Sequence, residues 1–235
     1  MGSEMLLSSV LVFKDMPNEQ LVRLEQSSVF SEPRDGATIF EQGDPADAIY
    51  AIVAGDGRVR IGAVDQNSKG LMVEVLRLGE IFGEIGVIDG GFRSASAVAE
   101  GRVQLAKIRK ALFMETLGAC PALGEALSRM IAQRLRRTYE LFQDATFETL
   151  EVRLARQVLY LAAREARATP QGLRLAHRLR QGDLADLLGA TTRSIITILN
   201  AWRAGNIVIY DTERAFLTVQ NIAALQTIAG IKREN

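Results

Sequence analysis

The spacing of apolar residues changes its period at Pro121, and that switch limits this chain to a β-rich first half followed by a helical second half. Before it, short apolar segments (Ala37–Phe40, Ala48–Val53, Gly57–Ile61 and Leu71–Leu76) alternate with the turn signals Glu41–Asp47 and Ala54–Gly57. Segments of that length and punctuation predict an antiparallel roll or barrel. After Pro121, the residues Leu127, Ile131, Leu135, Thr138, Phe142 and Ala145 recur at three- and four-residue steps, the seam of one long helix. About 25 residues of helix extend ~37 Å, and such a stripe needs a partner, either its own roll or a second copy of the chain.

A second helix is expected from about Thr149 to Ala166, with Leu154, Val158 and Leu161 pointing inwards, ending at a break over Ala168–Gly172. The stretch Gln181–Trp202 then spells two short helices around Gly189, the spacing of a helix-turn-helix. Leu184, Leu188, Ile195 and Leu199 can close a small core, Ala185 allows a close crossing, and Thr191 can cap the second helix. Trp202 continues the inward stripe. Left outside are Thr192, Arg193, Ile196, Thr197 and Asn200, which with Thr191 form a set suited to reading a major groove: Arg for guanine, Asn for adenine, methyls for thymine. The Gly205–Val219 string supplies a strand, turn and strand, completing a winged helix.

Charge divides the chain in the same place. Residues 152–235 hold 12 Lys+Arg against 6 Asp+Glu, whereas residues 1–151 hold 16 against 22, so the total of zero hides a basic C-terminal part suited to a polyanion. One cysteine, Cys120, excludes an intrachain disulfide and a four-cysteine iron–sulfur cluster. The one histidine, His177, leaves the N-terminal half without imidazole for haem or zinc, and reads as a surface or phosphate-neighbouring residue. With no phosphate-transfer loop or metal-ligand cluster, an enzyme is not expected. The apolar runs are too short to span a bilayer and the first ten residues do not read as a signal peptide, so a cytoplasmic protein is expected.

Gly83 to Ser96 (GEIGVIDGGFRSAS) carries the most specific chemistry. Arg93 can meet a phosphodiester with fork-shaped, charge-assisted hydrogen bonds. Glu84 is acceptor-only when ionised and suits a ribose hydroxyl. Small residues at Gly83, Gly86, Ser94 and Ala95 let backbone N–H groups approach an anion, and a short helical turn starting near Glu84 would add its positive end.

This string resembles the phosphate-binding cassette of the catabolite activator (cyclic-AMP receptor) and fumarate–nitrate regulator family, and the roll, the long helix and the winged helix follow in that family's order. The resemblance implies an α+β chain: an N-terminal, jelly-roll-like β-roll that binds cyclic nucleotide (residues 1–120), a long dimerisation helix (121–148) and a C-terminal winged helix-turn-helix (149–235). It implies Arg93 on the cyclic phosphate, Glu84 on the ribose 2′-hydroxyl and Ser94 on phosphate or base, within a ligand set of Gly83, Glu84, Ile85, Arg93, Ser94, Ala95, Arg134, Thr138 and Tyr139. Thr138 falls where the family's threonine meets the base across the dimer. Tyr139 stands where serine is frequent, which leaves adenine and guanine both open, so the effector is cyclic AMP or cyclic GMP, with no metal, haem or cluster. The implied partners are double-stranded DNA, a second copy of the chain and RNA polymerase. Alternatives are a regulator of the same fold with a vestigial pocket or another effector, and a cyclic-nucleotide module acting on a protein partner. Two departures bear on function. The Gly55–Gly57 turn is about a residue longer than usual, and Thr191-Thr192-Arg193-Ser194-Ile195 with Thr197 replaces the family's usual Arg and Glu readers, so its best-known operator is not expected to apply.

Overall fold

The structure is a computed structural model describing residues 6–64 and 70–231. Two 3₁₀ turns (Leu6–Ser9, Leu11–Phe13) and helix α1 (Asn18–Gln26) precede strands β1 (Val29–Ser31), β2 (Thr38–Phe40), β3 (Ala48–Gly55), β4 (Arg58–Val64), β5 (Gly70–Leu76) and β6 (Ile81–Phe82). A short helix α2 (Glu84–Asp89) then leads to β7 (Ser96–Glu100), β8 (Val103–Arg109), α3 (Lys110–Ala119) and the 27-residue α4 (Pro121–Phe147). The strands form two four-stranded sheets, ordered β1-β8-β3-β6 and β2-β7-β4-β5, so the expected roll is present.

β3 shows why these residues fold this way. Its first six residues are all buried, because its two faces serve different cores. Ile49, Ala51 and Val53 pack with Leu7, Phe13, Leu24, Phe113 and Leu123 from the helical elements. Ala48, Tyr50 and Ile52 face the roll interior with Val59, Leu76, Phe82, Ala97 and Leu105. A strand covered on both sides reads as a continuous apolar run in place of an alternating one.

The chain divides into two compact units, Met1–Ala63 with Val73–Arg137 and Val64–Met72 with Thr138–Asn235, so that one boundary falls inside α4. In the second unit, Thr149 caps α5 (Leu150–Glu165) by accepting from the Val152 amide. Strands β9 (Arg167–Thr169) and β10 (Gly172–Arg174), helices α6 (Gln181–Leu188) and α7 (Thr192–Ala204), strands β11 (Val208–Asp211) and β12 (Phe216–Val219), and α8 (Ile222–Ile228) complete it. The Ala168–Gly172 stretch, expected as a plain break, holds the end of β9, the Pro170–Gln171 turn and the start of β10, because β10 also finds a partner in β12 that the local sequence does not announce. The core gathers Leu154, Val158 and Leu161 with Leu184, Ile195, Leu199 and Trp202.

Trp202 is 1% exposed, and its indole N–H donates to Glu151 at 2.8 Å. Trp202→Ala is expected to destabilise the second unit by about 3–5 kcal/mol, measured as an earlier urea transition of that unit's signals with those of the roll unmoved.

Candidate functional site

The cassette is assembled by backbone geometry before any side chain acts. Buried β6 delivers the chain to Gly83, whose φ of 76° opens the turn into α2. A Cβ there would sit 2.5 Å from Arg93 Nη1, so only glycine lets the guanidinium approach. Arg93 Nη1 in turn donates to the Gly83 carbonyl at 2.7 Å.

Arg93 is 3% exposed, an unusual place for a cation. Its guanidinium lies 4.2 Å from the centre of the Phe40 ring, in an aromatic wall completed by Tyr50 and Phe82. Nη2 reaches Asp47 Oδ1 at 3.3 Å. The other Asp47 oxygen accepts from Lys107 Nζ at 2.9 Å. That hydrogen bond, with smaller help from the charges of Lys107 and Arg93, holds the Asp47 carboxyl below the usual carboxylate range against the opposing effect of partial burial. The same bond raises Lys107, again against burial. Asp47 is thus shared between two cations. Arg93 Nε is buried and finds no hydrogen-bond acceptor among the described residues. A buried charged donor left unpaired is costly.

Glu84, at the first position of α2, is 2% exposed and accepts from Arg134 Nη1 at 2.6 Å. Arg134 also donates to the Ile81 carbonyl at 2.8 Å and pairs with Glu74 at 3.4 Å. Its guanidinium orients the Glu84 carboxylate, whose two oxygens keep capacity for a hydroxyl donor. A buried cation and an ion-paired buried carboxylate therefore flank one turn, a combination that suits a ligand carrying an anion beside a hydroxyl. Ser94 and Ala95 form the bend that follows, with Ser94 exposed, and Ile85 is exposed on α2. Thr138 and Tyr139 lie on the part of α4 in the second unit, Tyr139 exposed. Sequence reasoning missed Phe40, Tyr50, Asp47 and Lys107. Tyr50 and Lys107 meet only through the β3–β8 register, a pairing of residues 57 apart that no local pattern displays.

In the second unit, Gly189 ends α6 in the left-handed conformation and α7 begins three residues later. Ile195, Leu199 and Trp202 point inwards, while Thr192, Arg193, Thr197 and Asn200 are exposed and Ile196 is half-buried. The Thr191 hydroxyl caps α7, accepting from the Ser194 amide at 3.2 Å and bonding its hydroxyl at 2.8 Å, so its first role is structural. His177 is not a free surface group: its Nδ1 lies 2.7 Å from buried Glu165, tying the segment before α6 to the end of α5. Among the described residues no cluster of His, Cys, Asp or Glu could hold a metal ion, and no helix is long and apolar enough to cross a membrane.

Comparison with known protein families finds a match in each half of the chain. Residues 32–119 match the cyclic nucleotide-binding domain, and residues 152–228 match the Crp-like helix-turn-helix domain. The chain is 29% identical over 187 residues to a CRP-like cAMP-activated global transcriptional regulator of Mycobacterium tuberculosis, covering 76% of this chain and 83% of that one. It is 30% identical over 166 residues to the cyclic AMP receptor protein of Thermus thermophilus, covering 71% and 73%. The fold is similar to that of the c-di-GMP responsive global regulator of Xanthomonas campestris, with a TM-score of 0.74 at 20% identity over 86% of this chain and 99% of that one.

Phe40→Leu removes the ring under Arg93 while keeping an apolar side chain. It is expected to lower the stability of the first unit by roughly 0.5–1 kcal/mol, the size of a cation–π contact, read as an earlier urea midpoint of that unit's signals.

Proposed function

The chain belongs to the CRP/FNR family of transcriptional regulators, and on that premise we propose that it is a homodimeric, sequence-specific DNA-binding protein controlled by cyclic AMP or cyclic GMP. The observation that carries the effector is the buried Arg93 with its unpaired Nε, set beside the buried carboxylate of Glu84. A cyclic phosphodiester brings one negative charge and the acceptor that Nε lacks, and a guanidinium fork is the side chain that best matches it. Glu84, oriented by Arg134, accepts the ribose 2′-hydroxyl. Gly83, Ile85, Ser94 and Ala95 line the phosphate with backbone and hydroxyl donors, and Thr138 and Tyr139 are assigned to the base. Tyrosine can stack on either purine or donate one hydrogen bond, so both purines stay in the proposal.

Two features support a dimer. Ile131, Leu135 and Phe142 are 39%, 50% and 69% exposed in the single chain, and they recur on α4 at the spacing of a two-helix seam. A second copy would cover that stripe. Ligand then acts on a two-state element through its differential affinity for the two states. The hinge assigned to this element lies near Asp144 to Leu150, where α4 gives way to α5 and Arg156 pairs with Asp144 and Glu148 and donates to the Ala229 carbonyl. Two copies of α7 reading DNA call for an approximately palindromic site with half-sites about one turn, ~34 Å, apart. The readers are Thr192, Arg193, Ile196, Thr197 and Asn200, with Thr191 at the helix start. RNA polymerase is the expected further partner, and the cytoplasm the expected place of action.

Calorimetric titration with cyclic AMP and cyclic GMP tests the effector. Saturable binding of at least one is expected, and Arg93→Ala should abolish it; failure of both nucleotides to bind wild-type protein removes the effector assignment. On a duplex selected from random sequence, affinity should fall steeply as salt rises, log K dropping by about 0.9 per log unit of salt for each phosphate neutralised. Gel-shift titrations that show a flat response would contradict the DNA reading.

A further inference from the structure

Strand β5 carries a charge where its pattern calls for an apolar side chain. Leu76 is 1% exposed and packs in the roll interior with Tyr50, Val59 and Phe82. Side chains two apart on a strand share a face, so Glu74 is directed to that same interior. Its side chain is only 26% exposed. A half-buried carboxylate on a face shared with apolar side chains carries a desolvation cost and calls for a role.

Service as counter-ion to Arg134 does not account for it. Arg134 Nη1 already donates to Glu84 at 2.6 Å and Nη2 to the Ile81 carbonyl at 2.8 Å, whereas Glu74 Oε2 stands 3.4 Å from Nε. Two carboxylates therefore share one guanidinium, and Glu74 holds the longer contact. An ionised carboxylate has about four lone-pair sites, so Arg134 engages only part of what Glu74 offers.

The place of Glu74 follows from the order of charges along the cassette. Arg93 Nη1 donates to the Gly83 carbonyl, and its buried Nε has no acceptor among the described residues. Glu84 comes next to Gly83, and beyond Glu84, through Arg134, stands Glu74. A cyclic nucleotide has its parts in a matching order: phosphate, ribose, base. A phosphate at Arg93 and a 2′-hydroxyl at Glu84 direct the base to Glu74, and a base that meets a carboxylate must present donors. Guanine does, because its N1–H and N2–H₂ lie side by side and match two carboxylate oxygens as an arginine fork does. Adenine sets its single N6–H₂ donor beside the N1 acceptor, whose lone pair would face the second oxygen.

We propose that Glu74 selects the base, and that the effector is cyclic GMP in preference to cyclic AMP. The inference rests on the cyclic-nucleotide reading of the cassette and narrows it to one purine.

The test is calorimetric titration of the full-length protein with each nucleotide, as wild type and as Glu74→Gln. The wild type should bind cyclic GMP about tenfold or more tightly than cyclic AMP, the discrimination that one good bidentate base contact supplies. In Glu74→Gln that ratio should fall severalfold. Loss of a negative charge beside an anionic ligand acts on both nucleotides alike, so the ratio isolates the base contact. Saturable binding of cyclic AMP by the variant reports that its pocket is folded. A wild type that binds the two equally, or prefers cyclic AMP, overturns the proposal without recourse to any variant. An unchanged ratio in a variant that still binds overturns the role of Glu74. Failure of the wild type to bind either nucleotide is a different result, and overturns the effector reading itself.

Discussion

The burial of the Arg93 guanidinium is the constraint around which the first unit is arranged. A cation excluded from water must be surrounded by acceptors and polarisable faces, and the roll supplies the Gly83 carbonyl, the Phe40 ring and one oxygen of Asp47. Supplying them requires a left-handed glycine at the entrance to α2 and the aromatic wall of Phe40, Tyr50 and Phe82. It also requires a register that sets Lys107 beside Tyr50, where its ammonium competes for Asp47. The compensation stops short at Nε. A site that is nearly neutralised, with one donor left over, is suited to exchanging an internal acceptor for an external anion. Full neutralisation would leave the anion little to gain, and an isolated buried cation would be too costly to keep.

Arg134 extends this balance of charge along α4. By pairing with Glu84 and Glu74 and donating to Ile81, it ties the helix to the acidic side of the cassette. Within the first unit, the turn at Gly83–Glu84 and the helix that carries the exposed apolar stripe are therefore mechanically connected. The second unit has its own core around Trp202 and presents two kinds of positive surface. The exposed face of α7 sets Arg193 among the polar side chains Thr192, Thr197 and Asn200, whereas Arg167 and Arg174, opposite each other in the β9–β10 hairpin, offer charge alone.

Much of this was legible in one dimension because it rests on local rules. Period-two and period-3.5 spacing located the strands and α4, and Thr191 announced its role as a cap by residue type and place. The hairpin at Arg167–Arg174 was not legible. Its strands are three residues long, and the inner one, β10, is held by pairing with β12, more than 40 residues away. The role of Arg134 as a partner of Glu84 was hidden for the same reason: 50 residues separate them, and nothing near either names the other.

The amino-acid sequence by itself determined the order of parts, the cassette with its arginine and glutamate, the helix seam, and the two-helix reader with its unusual face. These follow from periodicity, turn chemistry and residue type, all of which act over a few neighbouring positions. Only the tertiary structure decided which groups surround Arg93, that Asp47 is divided between two cations, that one guanidinium nitrogen is left without an acceptor, and that two arginines face each other unneutralised on the wing side. Those are properties of strand register and burial. Register brings together residues far apart in the chain, and burial sets the energy of the charges that meet there, so neither can be read from a string of side chains.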